Sequence, residues 1–126
     1  MSAGRRWAKA YERAWRSGDG DAAAALYAED CVFRSHPFRA LEDARAYMRR
    51  VVPEAEASEV WFGQPVEDGD VAAVEYWALL VDTDGAESTI AGLHRMRFGA
   101  DGLIAEARDY WHVEPGHRPP PPEWGR

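Results

Sequence analysis

Residues Asp68–Gly102 read DGDVAAVEYWALLVDTDGAESTIAGLHRMRFGADG, and the three Asp-Gly pairs in this stretch decide the fold. Asp-Gly is a strong short hairpin signal, because a two-residue type I′ turn needs positive φ at both central positions. Asp68-Gly69, Asp84-Gly85 and Asp101-Gly102 therefore predict an antiparallel meander with strands near 58–67, 70–83, 86–100 and 103–113. A short strand from Cys31 to Ser35 is expected to join it.

If each pair is itself the loop, Glu67 faces Asp70, Thr83 faces Ala86 and Ala100 faces Leu103. Directly opposed residues share a face of the sheet. One row then reads Phe62, Glu75, His94 and Asp109, the next Val60, Trp77, Gly92 and Trp111, and a third Leu79, Ile90 and Val113. This mostly apolar face is assigned to the helices and a pocket. The opposite face carries Trp61, Tyr76, Leu93 and Tyr110, with Val74, Arg95 and Arg108 beside them. An odd-length loop or a bulge would flip a strand to the other side.

Upstream, Trp7, Tyr11 and Trp15 recur every fourth residue, one aromatic stripe on a helix that Gly18 stops. Asp21 is read as the N-cap of a short helix through Tyr27, and Ala44, Tyr47, Met48 and Val51 mark a third helix ended by Pro53. The fold class is therefore α+β: a curved, mixed but mainly antiparallel sheet wrapped on about three N-terminal helices, a cone with one deep pocket. Residues 1–114 form the expected domain. Residues 115–126 hold five of the eight prolines and read as an extended tail that can lie over the domain, a weak candidate for a partner motif.

At 126 residues the chain fits one core, and 46% apolar with 29% charged residues excludes a disordered polymer. No apolar run approaches the ~20 residues needed to cross a bilayer, and no secretory signal is read, so a cytoplasmic location is expected. The net charge of -7 argues against a nucleic-acid partner, which requires clustered Lys and Arg. Cys31 is the only cysteine, which excludes an intrachain disulfide and a multi-cysteine zinc site. One His with two carboxylates is too sparse a set for a metal, and no cofactor is implied. Six tryptophans in so small a chain either fill a thin core or line a ligand cavity.

Strands ~4.8 Å apart bring Glu75, His94 and Asp109 within direct or water-bridged reach of one another. A histidine between two carboxylates in an apolar cavity is the arrangement that acid-base chemistry uses. The bland alternative is a satisfied polar network that closes one end of the core. Gly92 between Trp77 and Trp111 either leaves room for a ligand or lets the sheet bend.

The runs Gly18-Asp19, Leu26-Tyr27-Ala28-Glu29-Asp30-Cys31-Val32-Phe33 and Arg108-Asp109-Tyr110-Trp111 resemble the nuclear transport factor 2-like superfamily over roughly residues 5–113. That superfamily includes ketosteroid isomerases, SnoaL-like polyketide cyclases and limonene epoxide hydrolases. Against the isomerase pattern, Tyr11 matches the tyrosine that donates to the substrate oxyanion, and the second donor falls on His94. The general-base aspartate falls on Ser35, whose hydroxyl cannot do a carboxylate's work. Against the epoxide hydrolase pattern, Asp109 matches one catalytic aspartate. Its arginine, other aspartate, tyrosine and asparagine fall on Glu75, Trp77, Phe33 and Ser35. The resemblance thus implies the pocket and argues against both reactions.

The expected function is acid-base chemistry of the isomerase, cyclase or dehydratase type on a small, mostly apolar molecule. Asp109, His94, Tyr11 and Glu75 are the catalytic candidates. Trp15, Phe33, Ser35, Phe62, Trp77, Gly92 and Trp111 are the expected lining. The alternative is a non-catalytic ligand-binding or assembly module of the same fold. A homodimer through Trp61, Tyr76, Leu93 and Tyr110 is expected, because an exposed aromatic row marks an interface.

Overall fold

Ser2 and Gly18 bracket the first helix in a computed structural model that describes residues 1–126. Helix α1 (Ala3–Ser17) starts where the Ser2 side chain accepts from the Arg5 N–H, and it stops where Gly18 turns left-handed at φ 66°. Its stripe buries Trp7 and Trp15. Helix α2 (Gly20–Ala24) is capped by Asp19, which accepts from the Ala22 N–H at 3.0 Å, rather than by Asp21. It ends early, and Tyr27 opens strand β1 (Tyr27–Arg34) instead of closing the helix. Gly20 is needed here: a Cβ would lie 2.8 Å from the Arg49 Cα of helix α3 (Ala44–Val51). That helix is capped by Asp43 and runs into a 3-10 turn at Val52–Glu54 that contains Pro53.

The remaining strands are β2 (Ala55–Phe62), β3 (Val66–Asp68), β4 (Val71–Asp82), β5 (Glu87–Phe98) and β6 (Ile104–Pro115). They form one open, curved six-stranded sheet in the order β1-β6-β5-β4-β2, with β3 also on β4. Only β1 and β6 run parallel; the other pairs are antiparallel.

The first hairpin loop has two residues, Gly69-Asp70 between the paired Asp68 and Val71, but the other two are longer, with one large consequence. Between β4 and β5 the Asp82 N–H bonds to the Ala86 carbonyl and the Gly85 N–H to the Asp82 carbonyl, both at 3.0 Å. The loop is thus three residues, Thr83-Asp84-Gly85, with Gly85 at φ 83°. This is the type I turn plus left-handed residue of three-residue hairpins. An odd loop slides β4 by one position, so Val74 rather than Glu75 faces His94, and Tyr76 rather than Trp77 faces Gly92. The alternation on β4 confirms it: Ala72, Val74, Tyr76, Ala78 and Leu80 are buried. Glu75, Trp77 and Leu79 accordingly belong to the outer face, the reverse of the sequence reading.

The β5–β6 loop is also three residues, Ala100-Asp101-Gly102, closed by the Gly99 N–H on the Leu103 carbonyl at 2.8 Å. Here a bulge skips Ala105 between the pairs Phe98–Ile104 and Arg97–Glu106 and restores parity. His94 therefore does face Asp109, Gly92 faces Trp111 and Ile90 faces Val113.

After β6 the chain turns back over the outer face. Thr89 Oγ1 donates to the Gly116 carbonyl at 2.7 Å, the Trp77 indole N–H donates to the Arg118 carbonyl at 2.7 Å, and the Gln64 N–H donates to the Gly125 carbonyl at 2.9 Å. Trp124 meets Trp77 edge to face at 6.1 Å. No helix is long and apolar enough to cross a membrane.

Candidate functional site

Parity at two hairpins decides which side chains meet between the helices and the sheet. The inward residues of β4, β5 and β6, with the stripes of α1 and α3, enclose a cavity of about 510 Å³. Its wall is largely apolar, with Trp7, Trp15, Met48, Phe62, Leu80 and Ile90 among the lining residues. A volume in this range holds a drug-sized molecule.

Asp109 is the carboxylate among these aromatics. Its Oδ1 accepts from the Tyr76 hydroxyl at 2.9 Å and lies 3.5 Å from His94 Nδ1. Neither contact uses Oδ2. His94 is buried, stacked on Trp7 at 4.8 Å between ring centres, with Nε2 2.9 Å from the Tyr27 hydroxyl. The tautomer that fits both partners has the Tyr27 O–H donating to Nε2 and the imidazole proton on Nδ1, toward Asp109. The Trp7 indole N–H is buried without a well-formed hydrogen bond. Tyr27 thus orients the His94 ring, whose Nδ1 faces one oxygen of Asp109 from 3.5 Å.

Four phenols surround this carboxylate, and burial is the first reason each resists ionisation. Tyr76 and Tyr27 are pushed well above the ordinary tyrosine value, Tyr76 also by the Asp109 charge and Tyr27 by neighbouring Tyr11 and Asp109. Tyr11 is likewise raised by burial and then by Asp109. Tyr47 is raised by burial and Asp109, with Arg39 pulling the other way. All four are hydrogen-bond donors at neutral pH. The Tyr11 hydroxyl has only the Met48 sulfur as partner, at 3.6 Å, a weak acceptor that a ligand oxygen readily displaces.

Of the catalytic candidates, Asp109, His94 and Tyr11 line one cavity. Glu75 does not: it pairs with Leu93 on the outer face. Of the expected lining, Trp15, Phe62 and Trp111 are in place. Phe33 is buried in the core against Tyr27 and Tyr47 instead. Ser35 is buried behind the wall, its hydroxyl donating to Glu42 at 2.7 Å and its carbonyl accepting from the Trp111 indole at 2.7 Å. Trp77 lies under the tail on the other side of the sheet. Gly92 leaves no ligand space between two tryptophans, since a Cβ there would lie 2.6 Å from the Tyr76 hydroxyl and 2.4 Å from the Tyr110 carbonyl. Its missing side chain is the path by which Tyr76 reaches Asp109.

Sequence reasoning missed Tyr76 and Tyr27 as site residues, the first through the hairpin parity and the second through an overlong α2. A Gly85 that follows Asp82-Thr83-Asp84 was the available signal, because Asp82 Oδ1 accepts from the Asp84 and Ala86 N–H groups in the longer turn. Cys31 takes no part: burial pushes its thiol up to about 11, away from the reactive thiolate. No three His, Cys, Asp or Glu side chains gather as a metal site.

The fold recurs among solved structures. RV0760c from Mycobacterium tuberculosis is 17% identical, with a TM-score of 0.75 over 92% of this chain and 98% of that one. The same protein has been solved in complex with estradiol-17beta-hemisuccinate. The Delta 5-3-ketosteroid isomerase from Mycobacterium sp. is 19% identical, with a TM-score of 0.71 over 89% and 95% of the two chains. The epoxide hydrolase/cyclase-like enzyme SalBIII, which has a role in pyran ring formation in salinomycin, is 18% identical, with a TM-score of 0.71 over 89% and 95%. A search of curated proteins finds no match. The model of the SnoaL-like domain matches residues 8–107, from within α1 to the start of β6, and the chain belongs to that family.

Proposed function

We propose that this protein binds a small, mostly apolar molecule and catalyses proton transfer on it, as an isomerase, cyclase or dehydratase would. One observation carries the reading: the Tyr76 hydroxyl and His94 Nδ1 both lie toward Oδ1, so Oδ2 is free in an apolar cavity that also holds the unclaimed Tyr11 hydroxyl. Oδ2 removes a proton from a carbon next to a carbonyl. The C–H electron pair forms the new C=C bond, the carbonyl π pair moves onto oxygen, and the Tyr11 O–H bonds to that oxygen. Asp109 then returns the proton to another carbon or to a leaving group. The Tyr76 hydroxyl holds the carboxylate in place and stays bonded to it throughout, while His94 Nδ1 faces the same oxygen.

The neighbours supply a precedent for the ligand class and for enzymes on this fold, without naming the reaction of this chain. The dimer belongs to the same proposal on a smaller surface than the sequence implied. Tyr76 faces inward and Trp77 is covered by the tail, which leaves Trp61, Leu93 and the exposed Tyr110 for a second copy.

Deuterium exchange at the α-carbons of 2-tetralone, followed by NMR, tests the chemistry, while mass spectrometry of copurifying molecules identifies the natural ligand. The wild-type protein should accelerate exchange over buffer, and Asp109→Asn should lose at least 100-fold of that acceleration with affinity little changed. A ketone that binds without exchange in the wild type puts the non-catalytic binding module ahead.

A further inference from the structure

Arg39 lines the same cavity and has no carboxylate partner. The other lining arginine, Arg50, is 3.7 Å from Glu42. Arg39 lies on the exposed segment between β1 and α3, so it marks the mouth. It is nevertheless held: its guanidinium sits 5.2 Å from the Trp111 ring centre and donates to the buried Ser35 hydroxyl at 3.1 Å. The supports are themselves fixed, Ser35 by Glu42 and Trp111 by the Ser35 carbonyl. Glu54 also lines the cavity but makes no hydrogen bond or ion pair that would hold it toward a ligand. The rim therefore carries two cations: Arg50 lies 5.4 Å from the Tyr47 ring centre beside Glu42, and Arg39 is the one without a carboxylate partner, most of its five N–H donors unspent.

We propose that Arg39 binds an anionic group of the ligand, so that the substrate is an apolar acid held with its carboxylate at the mouth and its reacting carbon at Asp109. This rests on the proposed function and narrows its substrate class. Trp111 follows Asp109 by two residues on one face of β6, ~7 Å along the strand, and Arg39 stacks beyond it, so the two ends of the ligand lie on the order of 10 Å apart. Anion and base repel, which fixes which end enters first.

The test uses two matched pairs, estradiol-17beta-hemisuccinate with its methyl ester and 1-naphthaleneacetate with its methyl ester, titrated against tryptophan fluorescence. Within a pair the two ligands differ essentially in charge, and the smaller pair covers the case in which a steroid does not enter. At low salt the acid should bind about 10-fold tighter than its ester, as a charge-assisted Arg–carboxylate bond requires. Arg39→Gln should abolish that difference while the ester keeps its affinity, and 0.5 M salt should shrink it in the wild type. Acid and ester binding equally, or a preference that survives Arg39→Gln, overturns the inference and leaves the apolar pocket standing. If all four ligands fail to bind, the small-molecule reading itself falls, and this inference with it.

Discussion

The Tyr76 hydroxyl reaches Asp109 Oδ1 at 2.9 Å by passing over Gly92, a residue that pairs with Tyr76 on one side and with Trp111 on the other. A donor on β4 thus bonds an acceptor on β6 across the strand between them. Only glycine permits it, because the nearest atoms to a Cβ would be the Tyr110 carbonyl, the Tyr76 hydroxyl and the Trp111 Cβ, all under 3.0 Å.

Gly92→Ala should therefore displace Tyr76 and strain the β5–β6 pairing, at a cost of about 1–3 kcal/mol, the usual range for an overpacked site. Urea unfolding measures it. Adding Tyr76→Phe to the variant should cost less than Tyr76→Phe alone, since the hydroxyl has already been moved; strictly additive losses would show that Gly92 serves only the backbone.

Stability should fall at alkaline pH. Tyr11, Tyr27 and Tyr76 have folded values raised above 10.0, so above pH 10 the unfolded chain releases phenolic protons that the native state still holds. The native advantage is complete below that pH and shrinks as pH rises toward the folded values. Each such phenol contributes a slope of about 1.4 kcal/mol per pH unit. Replacing one of them by Phe should flatten a plot of unfolding free energy against pH between 10 and 11.5.

Much of this was legible in the sequence. Helix α1 followed from an unbroken four-residue aromatic spacing and a glycine that can turn left-handed, both local facts. The pairing of His94 with Asp109 was also read correctly, although the Ala100-Asp101-Gly102 loop is one residue longer than supposed, because the bulge at Ala105 cancelled the error. No bulge corrects the Thr83-Asp84-Gly85 loop, so a two-residue reading inverts β4 and puts Glu75 where Tyr76 stands. Asp-Gly marks where a hairpin turns, but two- and three-residue loops both use it, and the difference of one residue reverses every side chain on a strand. That residues 115–126 could lie over the domain is legible, but their seat on Trp77 and Gln64 is not: apart from the Trp124 ring, the contacts run through the Arg118 and Gly125 carbonyls, which any sequence supplies.

The tail and the dimer make separable predictions. Trp124→Ala should lower stability by about 0.5–1.5 kcal/mol, the worth of an aromatic pair, and should shift the urea midpoint without altering ligand affinity. Sedimentation should give the mass of two chains at micromolar concentration, and Tyr110→Asp should return one chain. A wild-type monomer would mean that the tail already occupies the surface a second copy needs.

Of the two residues whose positions resemble oxyanion donors, only Tyr11 is free to serve as one. His94 and Tyr11 share the cavity, but both His94 nitrogens are engaged, Nε2 with Tyr27 and Nδ1 toward Asp109. A ligand oxygen can recruit His94 only by breaking one of these contacts inside a dry site, where an orphaned polar group costs about 1–3 kcal/mol. Tyr11 has no such commitment, since a thioether is its only partner. Tyr11→Phe should then reduce turnover of an exchanging ketone by about 100- to 1,000-fold, the loss seen when one oxyanion donor is removed. Tyr27→Phe, which acts through His94 on the orientation of Asp109, should reduce it far less, and in Tyr11→Phe protein its effect should persist at the same ratio. In Asp109→Asn protein that Tyr27→Phe effect should vanish, because the carboxylate it orients is gone. If Tyr27→Phe instead matches Tyr11→Phe in size and the two do not add, the Tyr27–His94 chain reaches the substrate oxygen itself, and His94 is a donor after all.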